Sequence, residues 1–284
     1  YLLTVVDLPF AATATVLGLG LVGVAIAGVL ESLTLAAVFT VVEVIGLALV
    51  VWAGAGAEPV ADYSAPAAIV WPGVASAAVL AFFAFIGFED IVNMAEEVRD
   101  PVHTLPRAIL YALVITSLLY ALVSWAAVRA VPLDQLGGSE QPLALVWSSA
   151  RGGDAGFLSL IAVAAALNGI LAQIVMASRV MFGVGRRHSI LAVFHHAHPR
   201  FGTPVLATAL IGAAVIVMAV LLPVADLAEA TSAILLSVFV LVNAALIAMK
   251  RAQPEAPFRV PMMVPVLGLI AALGALAISF GVGV

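Results

Sequence analysis

Two acidic positions stand where acids are costly. Glu43 lies midway along an apolar run, in Phe39-Thr-Val-Val-Glu43-Val-Ile-Gly46. Glu89 and Asp90 interrupt another, in Phe82-Phe-Ala-Phe-Ile-Gly87-Phe-Glu89-Asp90-Ile-Val-Asn93-Met-Ala-Glu96-Glu97. In a bilayer a carboxylate at a helix centre costs about 2.5–3.5 kcal/mol even on insertion scales, so such an acid marks an ion, proton or substrate pathway. The second stretch carries more. Val74 to Ile86 is apolar and aromatic, Gly87 follows with acids directly behind it, and Asn93, Glu96 and Glu97 close the run. That is the pattern of a discontinuous helix. The carbonyls of Phe83 to Ile86, at the end of the first half, would suit an ammonium group, while the second half presents N–H groups and a positive dipole. Glu89 falls in the first turn of that second half and is placed to exchange a proton. Alternatives stay open here. Gly87 alone would equally serve a close helix contact. Phe82, Phe83, Phe85 and Phe88 would equally pack the bundle, and at least one must, because consecutive helical side chains cannot all face one cavity. Glu96, Glu97 and Asp100 approach the end of the run, where acids are solvated or pair with Arg99.

The elements that must position these residues follow from composition. Of 284 residues 64% are apolar, 10% are charged and none is cysteine. Soluble domains are about 45–50% apolar and about 25% charged, so a soluble globular protein is excluded. Disulfides, thiolate metal sites and cysteine nucleophiles are excluded too. Eight apolar runs appear, at 10–29, 33–53, 73–97, 107–128, 156–183, 203–223, 229–249 and 260–283, each near the ~20 residues a helical crossing needs. Gly54-Ala-Gly56, Glu58-Pro59, Asp100-Pro101, Gly137-Gly138, Gly152-Gly153, Gly202-Thr203-Pro204 and Gln253-Pro254 read as the connections. The runs are twice the length of a barrel strand and apolar on every face, which predicts an all-α polytopic membrane protein.

Charge sets the orientation. Of the eleven basic residues, nine follow runs three, five and seven: Arg99, Arg107, Arg179, Arg186, Arg187, Arg200, Lys250, Arg251 and Arg259. Only Arg129 and Arg151 fall on the other side, with Glu58, Asp62, Asp134, Glu140, Asp154, Asp226 and Glu229. The positive-inside rule places the first group in the cytoplasm, so the first run descends from outside. Together with Tyr1 in place of Met and an end inside an apolar stretch, this predicts an odd number of helices upstream and one or more downstream.

Phe83-Ala-Phe-Ile-Gly-Phe-Glu89, with Ala95-Glu-Glu97, Asp100-Pro101 and Leu105-Pro-Arg107-Ala-Ile109, resembles the sixth transmembrane helix and following loop of amino acid–polyamine–organocation (APC) permeases. Ser178-Arg179 with Gly183 and Arg186, then His198-Pro-Arg200 and Gly202-Thr-Pro204, resemble the end of the eighth helix and its loop, and Pro257-Phe-Arg-Val-Pro261 the entry to the eleventh. The resemblance covers essentially the whole chain. It implies a LeuT-type inverted-repeat fold, of which 1–53 would supply helices four and five, 73–250 the second repeat, and 260–284 helix eleven. It further implies that Phe83, Ala84, Phe85, Ile86 and Gly87 meet the substrate, with Phe88 beside the site and Glu89 at a gating or proton-sensing position. Asn168 and Gln173 would approach the substrate from the eighth helix; the alternative for them is interhelical hydrogen bonding worth about 0.6 kcal/mol. Two departures stand out. Several relatives carry, where Glu43 aligns, a Lys that substitutes for a bound sodium ion; a carboxylate would instead ligate a cation, accept a proton or pair with a basic residue upstream. The eighth-helix loop reads His188-Ser-Ile-Leu-Ala-Val-Phe194 in place of a Gly-Leu-Leu-Pro-like run.

Other signals are weaker. His188, His195, His196 and His198 lack metal-type spacing and read as solvated or headgroup-facing side chains. No His-Glu-x-x-His, Gly-x-Ser-x-Gly or Walker pattern is present, so no enzyme, cofactor or metal site is expected, and acidity and burial exclude nucleic acid. The expected function is a secondary active amino acid permease of the cell membrane, working by alternating access with proton or sodium coupling or by exchange. A carrier of polyamines or other organic amines is the rival within transport; a channel or non-transporting scaffold is the rival outside it.

Overall fold

The computed structural model describes residues 9–60, 69–252 and 259–280. Tyr1, Asp62, Gln253-Pro254, Pro257-Phe258 and residues 281–284 lie outside the described residues. The described chain runs α1 (Phe10–Ala27), α2 (Val29–Ala55), α3 (Trp71–Phe85), a 3-10 helix (Phe88–Glu97), α4 (Pro101–Ala130), α5 (Leu133–Gly138), α6 (Pro142–Arg151), α7 (Gly156–Arg187), a second 3-10 helix (Ser189–Phe194), α8 (Val205–Leu221), α9 (Val224–Ala252) and α10 (Met263–Ser279). No strand occurs among the described residues. Six helical segments there are long and apolar enough to span a bilayer, one of them the interrupted Trp71–Asn93, and Val205–Leu221 and Met263–Ser279 are shorter apolar helices. These are the eight runs read from the sequence. Several helices overshoot the apolar runs, because the hydrogen-bond ladder continues where hydropathy ends: α7 carries on to Arg187 and α9 to Ala252. Two helices were not anticipated. α5 and α6 occupy the stretch between runs four and five, where Gly137 and Gly138 end α5, while Gly152 and Gly153 do form a turn, at φ +71° and +81°.

The chain divides into two compact units, Tyr1–Ala65 with Val114–Leu221, and Pro66–Leu113 with Leu222–Val284, the division falling inside α4. In the first unit α1 packs against α7 and α8, and α2 against α7 and α6. Lipid offers no hydrophobic drive to join helices, so close approach must come from small residues and van der Waals contact. Glycines supply it. A Cβ on Gly46 would stand 2.8 Å from Ile161 Cγ2, and one on Gly54 would stand 2.5 Å from the Ala126 carbonyl oxygen. Leu21, Val22 and Ala25 of α1 meet Leu171, Ile174 and Val175 of α7 in one core; Val50, Ala130, Val131, Val146 and Leu158 make another.

Polar groups at helix ends are satisfied from nearby side chains. A single residue, Gly28, separates α1 from α2, so the last carbonyls of α1 need outside partners. The buried Ser32 hydroxyl lies within donating distance of Val24 O at 3.3 Å, and the buried Thr203 hydroxyl donates to Ile26 O at 2.7 Å. The Gly-Thr-Pro motif thus caps α1. The two arginines that break the charge asymmetry are equally engaged. Arg129 Nε donates to Ala57 O at 3.2 Å beyond the end of α2, and the Arg151 guanidinium lies 3.6 Å from the centre of the Trp52 ring. Both charges serve the end of α2, which accounts for their place among the acids.

In the second unit α9 packs along α10, and both touch α3. Asn243 donates to Phe239 O at 2.8 Å, inside its own helix, and a Cβ on Gly268 of α10 would reach within 2.5 Å of Asn243 Oδ1, so that glycine lets α10 lie close. Lys250 Nζ donates to the Val260 carbonyl ahead of α10.

Candidate functional site

The helix over the third run breaks where the sequence places the break. α3 ends at Phe85; Ile86 turns to φ −58°, ψ 133°, and Gly87 takes φ +120°, ψ −20°. That φ is open to glycine and strained for residues with a Cβ. Space is not the constraint, since a Cβ on Gly87 would meet nothing within 4 Å. The segment beyond is a 3-10 helix of 10 residues rather than the expected α-helical half. Such runs rarely exceed 3–4 residues, and longer ones mark hinges or strain. The β-branched Ile91-Val92 pair and the locally bonding Asp90 and Asn93 favour α-helix poorly.

Hydrogen bonds on both sides of Gly87 hold the break. Ile86 N donates to Phe83 O at 3.2 Å, Asp90 N to Gly87 O at 3.2 Å, and Gly87 N to Glu89 Oε2 at 2.9 Å. The half-buried Glu89 carboxylate therefore reaches back two residues and closes the gap with a charge-assisted bond. Asp90 Oδ1 accepts from Asn93 Nδ2 at 3.3 Å. One aromatic ring from each side of the break rests on the same ring of α9: Phe82 lies 5.7 Å from Phe239, edge to face, and Phe88 lies 5.8 Å from it. Phe82 and Phe88 thus have packing partners, whereas Phe83 is 45% exposed and Ala84 is exposed beside it. Phe85 and Ile86 are half-buried.

The remaining candidates lie in the first unit. The half-buried Glu43 of α2 accepts from Asn168 Nδ2 of α7 at 2.9 Å, and that nitrogen also donates to Thr40 Oγ1 at 3.2 Å. Tyr120 of α4 lies within electrostatic range of Glu43. This is the interhelical hydrogen bond open to Asn168 as the alternative to substrate contact, and nothing local in a sequence reports which residue lies at the other end of a pairing across 125 positions. Gln173, five residues beyond Asn168, is exposed and does not share its face.

Two of the histidines that follow α7 have ring partners. His195 lies 4.4 Å from Phe182 and His198 5.0 Å from Phe201, with Arg200 N donating to His198 Nδ1 at 3.3 Å. Asp100, at φ +50°, faces His103 at 3.0 Å, a partner other than the Arg99 considered from the sequence.

Membrane-length helices, one of them interrupted at a glycine, define a multi-pass helical membrane protein with a discontinuous span. Residues 7–284 match the amino acid permease family, and the chain belongs to that family, one of transporters rather than enzymes. It is 34% identical over 214 residues to a branched-chain amino acid permease of Bacillus subtilis, covering 74% of this chain and 46% of that protein. A methylthioribose transporter of Bacillus subtilis is 30% identical over 202 residues, 70% of this chain and 44% of that protein. The vacuolar cationic amino acid transporter 4 of Arabidopsis thaliana is 28% identical over 235 residues, 80% of this chain and 39% of that protein. The chain spans about half the length, or less, of the curated relatives it matches.

Proposed function

We propose that this chain forms the substrate-binding core of a secondary active permease of the cell membrane that carries amino acids with apolar side chains by alternating access, with no covalent chemistry. The broken helix at Gly87 carries the reading. An unwound backbone between two helical halves offers carbonyl and N–H groups to a zwitterion at a depth where a continuous helix offers none. Phe83, Ala84, Phe85 and Ile86 are aromatic or aliphatic, and the two acids beside them are engaged, Glu89 by the Gly87 amide and Asp90 by Asn93. Apolar side chains therefore suit the segment better than a second cationic group. The name of the Bacillus subtilis branched-chain permease supports the same choice. In this reading the chain adopts the LeuT-type inverted-repeat arrangement, Phe88 braces the site through Phe239, and Glu89 is the acid that couples transport to a proton.

Uptake by proteoliposomes of the full-length protein tests the proposal. Labelled leucine should accumulate under an inward proton gradient, with unlabelled isoleucine and valine competing and putrescine and lysine not competing. Uptake of putrescine or lysine in preference to leucine would favour the organic-amine reading; ion conductance without uptake would favour a channel.

A further inference from the structure

Glu43 is an acid within an apolar membrane-length helix, outside the broken helix in sequence, and Asn168 is its hydrogen-bond partner. We propose that Asn168 is a positioning residue for Glu43, and that the two act as one unit joining α2 to α7, instead of Asn168 reading the substrate.

Three observations meet here. The Asn168 amide nitrogen donates to both Glu43 Oε1 and Thr40 Oγ1, so both its hydrogens are committed to α2. The Thr40 hydroxyl donates to Ala36 O at 2.9 Å, so its proton is spent on its own helix and it acts toward Asn168 as acceptor only. The bond pattern is therefore directional: Thr40 orients the amide, and the amide orients the carboxylate. Finally, the helices are brought close enough for this by Gly46, one turn from Glu43, against Ile161, two turns from Asn168. Glu43 opposite Asn168 and Gly46 opposite Ile161 place α2 antiparallel to α7. Val50 and Leu158 continue the seam in a shared core cluster. Among the titratable groups on the elements packed around it, Tyr120 of α4 is in electrostatic range of Glu43. With Asn168 turned to α2 and Gln173 exposed, α7 presents Glu43's partner at this level.

The consequence is that Glu43 is held in one orientation by a neutral donor on another helix. Any movement of α2 against α7 then changes the environment of the carboxylate, and any change in the carboxylate biases that movement. The inference rests on the permease reading for its transport readout, and has a second readout that does not.

The test is a donor–acceptor exchange in the full-length protein. Asn168→Ala should lower kcat for leucine uptake about 10-fold with KM within about twofold, the loss expected for one hydrogen bond to a charged group. Asn168→Asp, which sets two carboxylates face to face, should lower kcat roughly 100-fold. Adding Glu43→Gln to Asn168→Asp restores a donor facing an acceptor with the roles reversed, and should bring kcat back to within about 10-fold of the parent. The thermal midpoint in detergent should follow the same order. A rise in KM with kcat unchanged in Asn168→Ala, or a double variant no better than Asn168→Asp in both readouts, would overturn the proposal. Rescue of the thermal midpoint in a protein that takes up no amino acid would retain the pair and remove the permease reading.

Discussion

Replacing Gly87 with alanine lowers the maximal rate of amino acid uptake by roughly 10- to 100-fold while the protein still inserts and folds. The argument is confined to the backbone. Gly87 holds φ +120° at the junction of α3 and the 3-10 helix, and a Cβ there would meet no neighbour within 4 Å. Alanine is thus admitted by space and refused by conformation. Holding a residue with a Cβ in such a region costs about 1–3 kcal/mol, and each 1.4 kcal/mol is about a factor of ten in population. The chain can escape the cost by rewinding the break, which removes the unwound carbonyls and N–H groups that the site requires. Gly20→Ala is the matched control, because Gly20 lies within α1 and its Cβ would also meet nothing within 4 Å. Initial-rate uptake of labelled leucine should separate the two: Gly20→Ala near the parent rate, Gly87→Ala far below it. Equal rates would show that the positive φ is dispensable.

The second large effect is at Glu89, where the side chain has two tasks that different substitutions separate. As a hydrogen-bond acceptor, it closes the break on Gly87 N at 2.9 Å. As an acid, it is the proposed proton carrier. Glu89→Ala removes both. It leaves the half-buried Gly87 amide without this acceptor, at a cost of about 1 kcal/mol, the low end of the range for a buried group, and with the titrating group also lost uptake should fall on the order of 10-fold or more. Glu89→Gln keeps an oxygen that accepts the same amide and loses the titrating group. Exchange of labelled for unlabelled leucine across the membrane should then persist within about tenfold of the parent, since neutral acceptors make bonds about half as strong, while stimulation by an inward proton gradient disappears. A Glu89→Gln protein that still accumulates leucine against a gradient would move the coupling role to another acid, with Glu43 the next candidate.

The fold was legible because a membrane simplifies the code. Lipid demands internally satisfied backbone, so eight apolar runs became eight helical segments with little competition from other structure. The break was legible for the same reason: glycine followed by two acids has no place in an uninterrupted span, and α3 stops at Phe85. What the sequence withheld is tertiary. Glu43 could be flagged as costly, yet its partner Asn168 lies on another helix, and the amide's choice between substrate and carboxylate depends on how Gly46 lets α2 approach α7. Phe82 and Phe88 could not be told from Phe83 until Phe239 of α9 took two of the three rings' neighbours into account. Arg129 and Arg151 counted against the charge rule until the end of α2 and the Trp52 ring were seen to hold them. The short helices α5 and α6 were hidden behind glycines that read as turns, because an amphipathic helix of 10 residues gives a weak signal beside spans of 30. The 3-10 form beyond Gly87 left only a faint trace, in the poor α-helix formers Asp90, Ile91, Val92 and Asn93, which weaken an α-helix without specifying what replaces it.

The claim that the broken helix is the substrate site is tested most directly by protection at Ala84, the exposed residue just before the break. The 284-residue sequence contains no cysteine, so Ala84→Cys in the full-length protein, with any cysteine outside this stretch replaced, reports from one place. The rate of its modification by a small thiol reagent should fall several-fold with saturating leucine and return when leucine is withdrawn, with lysine giving no protection. A protein that transports leucine while Ala84→Cys reacts at the same rate with and without it would contradict the account, and would place the substrate elsewhere in the fold.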